Sequence, residues 1–298
     1  MRNKLSYFFI AIAGICWGLT GGCNRFITAE GFSQNQIMFV RTGVALILMA
    51  IILCIKDRAA FRIKFKDVWL FLGSGIASLA LFGVSYFQAM QLMSLSAAAV
   101  LLYMAPIFVV LMSAIFFKER ITAQKVVALI LIVAGAALTT GLVGGGAVQI
   151  TGTGLVFGLL SAIGYALYSI FSKAALQRGY SANTITFYTF LFCTVAVGIL
   201  AGVPQTLQLV VASKSSMFWT ICIGIVTCLL PYMLYTRGLQ GVENGRASII
   251  ASVELIVATL VSVFFFHETF LFVNFIGIVL VFAGIICVNV KFKTKGRE

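Results

Sequence analysis

Glu254 is the residue with the most chemistry to offer, because it stands inside an apolar run of membrane-spanning length, between Arg246 and His267. A charge at the centre of a bilayer costs on the order of 2.5–3.5 kcal/mol, so such a group faces a protein interior or a wet cavity. There it can exchange a proton or hold an amine. The competing role is a protonated carboxyl that hydrogen-bonds a neighbouring helix and ties two segments together. Aromatic residues supply the candidate walls around it. Tyr86 and Tyr235 recur at equivalent positions, as do Trp17 and Tyr165. Tyr103 stands one turn before Pro106, Tyr168 one turn after Tyr165, and Tyr232 directly follows Pro231. Such rings offer broad apolar contact with occasional hydroxyl donors, which suits a moderately permissive small-molecule site.

The other ionisable groups in or beside apolar runs read more cheaply as structure. Arg41 can snorkel to the interface, or meet Glu30 or an anionic group. Glu119 and Glu268 stand at equivalent helix ends, where local ion pairing and capping account for them. His267, the one histidine, is an edge residue, and pH sensing is its alternative role. The seven cysteines lie in apolar runs without disulfide or zinc spacing. No metal and no cofactor is expected.

The elements that must position these residues are helices in a membrane. The chain is 61% hydrophobic and 10% charged, against roughly 25% charged in soluble domains. Ten apolar segments are predicted as spans, at about 5–26, 35–55, 68–91, 95–117, 122–142, 153–176, 183–202, 217–236, 247–266 and 270–290, matching a ~30 Å hydrocarbon core. Arg2 and Lys4 before the first segment imitate a signal peptide, but the apolar stretch runs past Cys23 and reads as span 1.

The halves repeat. Residues 86–139 align with 235–288 at an offset of 149, placing Tyr86, Gln91, Ala98, Phe116-Phe117, Glu119 and Ala134-Gly135 on Tyr235, Gln240, Ala247, Phe265-Phe266, Glu268 and Ala283-Gly284. Upstream, at 148, Trp17-Gly18 and Arg25 meet Tyr165-Ala166 and Lys173. The expected organisation is a first repeat over 1–142, a glycine-rich link over 143–152 and a second repeat over 153–298. Five helices per repeat is an odd number, so the second copy enters the membrane from the opposite side.

Charge follows that inversion. With the N-terminus cytoplasmic, 18 of the 21 Lys and Arg residues lie inside, in the N-terminus, the alternate connections and the tail, by the positive-inside rule. The net charge of +13 is therefore topological, and no nucleic-acid partner is expected. Both termini are expected in the cytoplasm of a multi-pass plasma-membrane protein. The small-residue pairs Gly14/Gly18 and Gly154/Gly158 open the first span of each repeat and allow close helix approach.

Trp17-Gly18, Arg41, Ala105-Pro106 with Phe117-Lys118-Glu119-Arg120, and Ala251-Ser252-Val253-Glu254 with Phe266-His267-Glu268 together resemble the drug/metabolite transporter superfamily, in its EamA-type ten-helix form. The resemblance covers essentially the whole chain. It implies an all-α integral membrane protein of ten transmembrane helices in two inverted-topology five-helix repeats, around a cavity lined by spans 1, 3, 4, 6, 8 and 9. It also implies export or exchange of small metabolites, such as amino acids or related amphiphilic compounds. Leu255 departs from the family, whose members often carry Pro after this Glu. A proline break is thus expected at Pro106 in span 4 and unsupported in span 9.

The reading is a secondary transporter working by alternating access, with the lipid bilayer, a small substrate and protons as partners. A monomer suffices, because one chain holds both repeats. A membrane-embedded enzyme acting on a lipid-linked or small substrate would need clustered His, Asp, Glu or Ser. A non-transporting scaffold is the remaining alternative. No phosphate-binding loop supports ATP-driven work.

Overall fold

A computed structural model describes residues 2–142 and 149–289. The central triple glycine 144–146 and the basic tail from Lys291 lie outside the described residues. Among those described, nine helices are long and apolar enough to cross a membrane. They are span 1 Lys4–Ala29, span 2 Gln34–Lys56, span 3 Phe65–Leu92, span 4 Leu95–Phe117, span 6 Gly152–Gln177, span 7 Ala182–Ala201, span 8 Lys214–Gly238, span 9 Asn244–Phe266 and span 10 Phe272–Asn289. The shorter apolar helix Ala123–Thr139 is span 5, which completes ten. A further short helix, Val203–Ala212, joins spans 7 and 8.

Local chemistry sets the helix starts. A helix leaves its first N–H groups without internal partners, and a Ser or Thr oxygen before it satisfies one. Ser33 does this with Gln36 in a capping box for span 2. Ser94, Thr122, Thr151, Ser181 and Ser213 cap spans 4, 5, 6, 7 and 8 through the N–H three residues on. Spans 3 and 9 differ from these: neither Lys64 nor Asp67 caps the start of span 3, and the N-cap residue of span 9, Glu243, makes no side-chain cap bond.

The two halves pack as a pseudo-symmetric pair. Span 3 lies along span 6 and span 1 along span 8, while span 4 meets span 6 as span 1 meets span 9. Spans 2 and 7, and spans 5 and 10, pack on each other across the repeat boundary. Close approach at the last pair depends on glycine, since a Cβ on Gly135 would sit 2.7 Å from the Gly277 carbonyl. Large apolar side chains such as Ile47, Ile55, Ile115, Ile199 and Phe264 remain exposed on the outside, as a lipid-facing surface requires.

Departures from a regular helix recur at equivalent positions. Spans 3 and 8 each contain π-helical turns, at Gly73–Ala80 and Ile225–Leu229. Span 4 is broken between Leu102 and Ala105, just before Pro106. Span 9 is broken at Ser252 as well, without a proline. That corrects the expectation drawn from Leu255. Ser252 donates its hydroxyl to the Ser248 carbonyl at 3.3 Å, a back-bond that bends helices. Span 1 packs against the bend: Gly14 brings its backbone against the Ala251 carbonyl and Gly18 against the Glu254 carbonyl, at 2.6 and 2.8 Å from an added Cβ. Lys118 and His267, one at the end of each broken span, share a left-handed conformation, with φ of 56° and 53°.

Candidate functional site: a central cavity open at one end

A cavity of about 720 Å³ lies between the repeats. Its walls come from spans 1, 2, 3, 4, 5, 6, 8, 9 and 10. The mouth is at the end where Asn24, Arg25, Ser96 and Glu268 stand. The opposite, basic end carries the Lys/Arg-rich connections.

Glu254 occupies the first turn of the second half of span 9 and lines the cavity. Tyr165 directs its hydroxyl at Glu254 Oε2, 3.5 Å away. Trp17, Tyr86, Tyr103, Tyr165 and Tyr232 also line this space. Trp17 packs edge-on to Tyr165 and Tyr232, with ring centroids 5.9 and 5.3 Å apart. Phe82 joins the wall between Tyr86 and Tyr165. Its signal in the sequence is its place one helical turn before Tyr86.

Tyr168 and Tyr235 do not line the cavity. They form the layer beneath it, Tyr168 meeting Thr236 Oγ1 at 2.6 Å and Tyr235 meeting Ser169 Oγ at 2.8 Å. Both lie one turn nearer the basic end than Tyr165 and Tyr232.

Arg41 is 8% exposed and lines the cavity, and it does not meet Glu30. Glu30 instead accepts hydrogen bonds from Ser213 and Ser215. The Arg41 guanidinium reaches one carbonyl, that of Thr227 in the π-helical turn of span 8, at 3.5 Å. Its Nε has no hydrogen-bond partner, and the ion pairs among the described residues do not include it. A buried guanidinium without a carboxylate is a strong site for an anionic group.

The basic end is shut by polar contacts. Glu119 accepts from the backbone N–H groups of Asn244 at 2.8 Å and Gly245 at 3.2 Å, and so supplies from span 4 the cap that span 9 lacks. Lys125, 2% exposed, bridges Glu119 and Glu243 at 3.4 and 3.0 Å. Lys173 donates to the carbonyls of Leu239 and Val242 at 2.6 and 3.3 Å. At the mouth, Glu268 pairs with Arg25, both about half exposed. Pro106 is buried at the start of the second half of span 4. No cluster of His, Cys, Asp and Glu suited to a metal occurs among the described residues.

Comparison with known proteins supports the architecture. The EamA-like transporter family matches twice, over residues 4–141 and 152–290. An uncharacterized transporter of Archaeoglobus fulgidus is 32% identical over 68% of this chain and 70% of its own length. The pseudopaline exporter CntI of Pseudomonas aeruginosa is 27% identical over 72% of this chain and 71% of its own. A crystal structure with 16% sequence identity superposes with a TM-score of 0.80 over 96% of both chains, which shows a shared fold. Two family matches on two inverted repeats that enclose one cavity lead to one conclusion: this chain belongs to the EamA-like transporter family.

Proposed function

We propose that the protein carries small zwitterionic or amphiphilic metabolites, amino acids or related compounds, by alternating access around the central cavity. One observation carries the reading. A cavity open at a single end holds a guanidinium without a carboxylate partner, Arg41, and a carboxyl, Glu254, between aromatic walls. That arrangement suits a ligand with a carboxylate at one point, an amine at another and an apolar body between. When the cavity is empty of ligand, Glu254 takes a proton instead, which couples flux to a pH gradient. Similarity to a pseudopaline exporter supports net export, with exchange as the reverse of the same cycle.

Orientation follows the charges. The basic end faces the cytoplasm of a plasma membrane, with both termini inside. Membrane-impermeant maleimide added outside intact cells is expected to label Lys214→Cys and to leave Arg62→Cys unlabelled. The opposite pattern would invert the topology.

Arg41 supplies the substrate test. Arg41→Lys keeps a positive charge but loses the planar fork that matches a carboxylate. Uptake of carboxylate-bearing compounds into proteoliposomes is expected to show a KM raised about tenfold. Amides of the same compounds should be affected far less. Equal effects on both series would remove Arg41 from substrate contact.

A further inference from the structure

The two ends of the cavity are built from equivalent residues in unequal states. At the shut basic end, Glu119 holds the first N–H groups of span 9, while Lys173 holds the carbonyls of Leu239 and Val242. Moved by the repeat offset, Glu119 becomes Glu268 and Lys173 becomes Arg25. Their targets become the N–H groups of Leu95 and Ser96 and the carbonyls of Met90 and Met93. These lie at the start of span 4 and the end of span 3, across the mouth from Glu268. Met90, Leu95 and Ser96 line the open cavity.

At the mouth neither contact is made. Glu268 and Arg25 pair with each other, and the guanidinium stacks 4.5 Å from the centroid of the Phe266 ring. The backbone is nonetheless ready. His267 holds the left-handed turn that Lys118 holds before Glu119, so each carboxyl leaves its helix in the same way. First-turn N–H groups of span 4 have no partner within the helix. Ser94 satisfies only the one at Ala97.

We propose that Glu119 with Lys173, and Glu268 with Arg25, are reciprocal clasps that lock one end of the cavity at a time. Closing the mouth transfers Glu268 from Arg25 to the Leu95 and Ser96 N–H groups, and turns Arg25 onto the Met90 and Met93 carbonyls. Opening the basic end releases Glu119 and Lys173, which then pair as Arg25 and Glu268 do here. The energetics favour such an exchange. An exposed ion pair contributes little, whereas a charge-assisted cap across two helices holds an interface shut. The clasps rest on the alternating-access reading, but they do not depend on the substrate or on Glu254.

The test places a reporter cysteine at Ala258, which lines the cavity, in a full-length chain without its other cysteines. Labelling by impermeant maleimide from the mouth side follows the population open at that end. Glu119→Ala weakens the basic-end clasp and is expected to slow labelling roughly tenfold or more. Glu268→Ala weakens the mouth clasp and is expected to keep labelling at or above the parent rate. The double variant is expected to return toward the parent. Shifts in the same direction, no slowing by Glu119→Ala, or no recovery in the double variant would overturn the clasps.

A second measurement covers a Glu119→Ala protein that fails to fold. Glu268→Cys with Leu95→Cys is expected to cross-link under oxidation and to abolish labelling of the reporter. No cross-link would contradict closure onto span 4. Neither readout uses transport. Loss of the substrate reading would therefore leave these results standing, and failure of the clasps would leave substrate uptake intact.

Discussion

Glu254→Gln is expected to reduce proton-driven flux to the level of protein-free liposomes while the chain still folds and still binds ligand. Gln keeps the size of the side chain and an acceptor for the Tyr165 hydroxyl, which lies 3.5 Å from Oε2. The N-terminal turn of the second half of span 9 also keeps its geometry, because its close packing on span 1 is made by the Ala251 and Glu254 carbonyls and the Val253 and Val257 side chains, not by the carboxyl. What is lost is the ability to take up and release a proton inside the cavity. Tyr165→Phe removes only the hydroxyl that faces the carboxyl. It should leave coupling in place with a smaller loss of rate. Proteoliposome flux with and without a pH gradient, alongside size-exclusion profiles in detergent, checks both. Gradient-driven flux surviving in Glu254→Gln would remove this residue from coupling and leave it as a link between helices.

Gly18→Leu is expected to be the most damaging single substitution along span 1. A Cβ at Gly18 would lie 2.5 Å from Val257 Cβ and 2.8 Å from the Glu254 carbonyl, closer than real contacts allow. Overpacking of this kind costs about 1–3 kcal/mol or more, and here it must push span 9 away at its break. The displaced turn carries Glu254, so transport should fall further than thermal stability. Gly21→Ala is the control on the same helix, since a Cβ there meets nothing within 4 Å. Near-parental Tm and flux are expected for Gly21→Ala, and losses of both for Gly18→Leu. A fully active Gly18→Leu protein would show that spans 1 and 9 move apart freely.

Much of this arrangement is legible in the residues, and the misses have physical causes. The 149-residue offset anticipates paired features: Lys118 and His267 share one backbone conformation, and the π-helical turns of spans 3 and 8 correspond. The break in span 9 is not legible at Leu255. It sits at a Ser252 back-bond to the Ser248 carbonyl, where Gly14 and Gly18 of another helix pack closely, and a lone Ser is a far weaker local sign than proline. Tyr165 and Tyr168 share a helix face, so periodicity groups them, yet the cavity ends between them. Depth along a helix is a tertiary property, and spacing does not carry it. The same holds for Tyr232 and Tyr235.

Arg41 and Glu119 show the other kind of miss. A lone Arg near a span end is well explained by snorkelling. Only the packing of spans 2 and 8 shows that its guanidinium points inward to the carbonyl of Thr227 and the cavity. Glu119 reads as a local cap, and it is a cap, but of a helix 125 residues away in the chain.

Uptake of pooled zwitterionic metabolites by purified protein in liposomes, with and without an imposed pH gradient, tests proton-coupled carriage most directly. A carrier of this kind gives saturable uptake that the gradient accelerates and that collapsing the gradient slows. Absence of saturable uptake, or a rate indifferent to the gradient, would contradict a proton-coupled carrier built around Arg41 and Glu254.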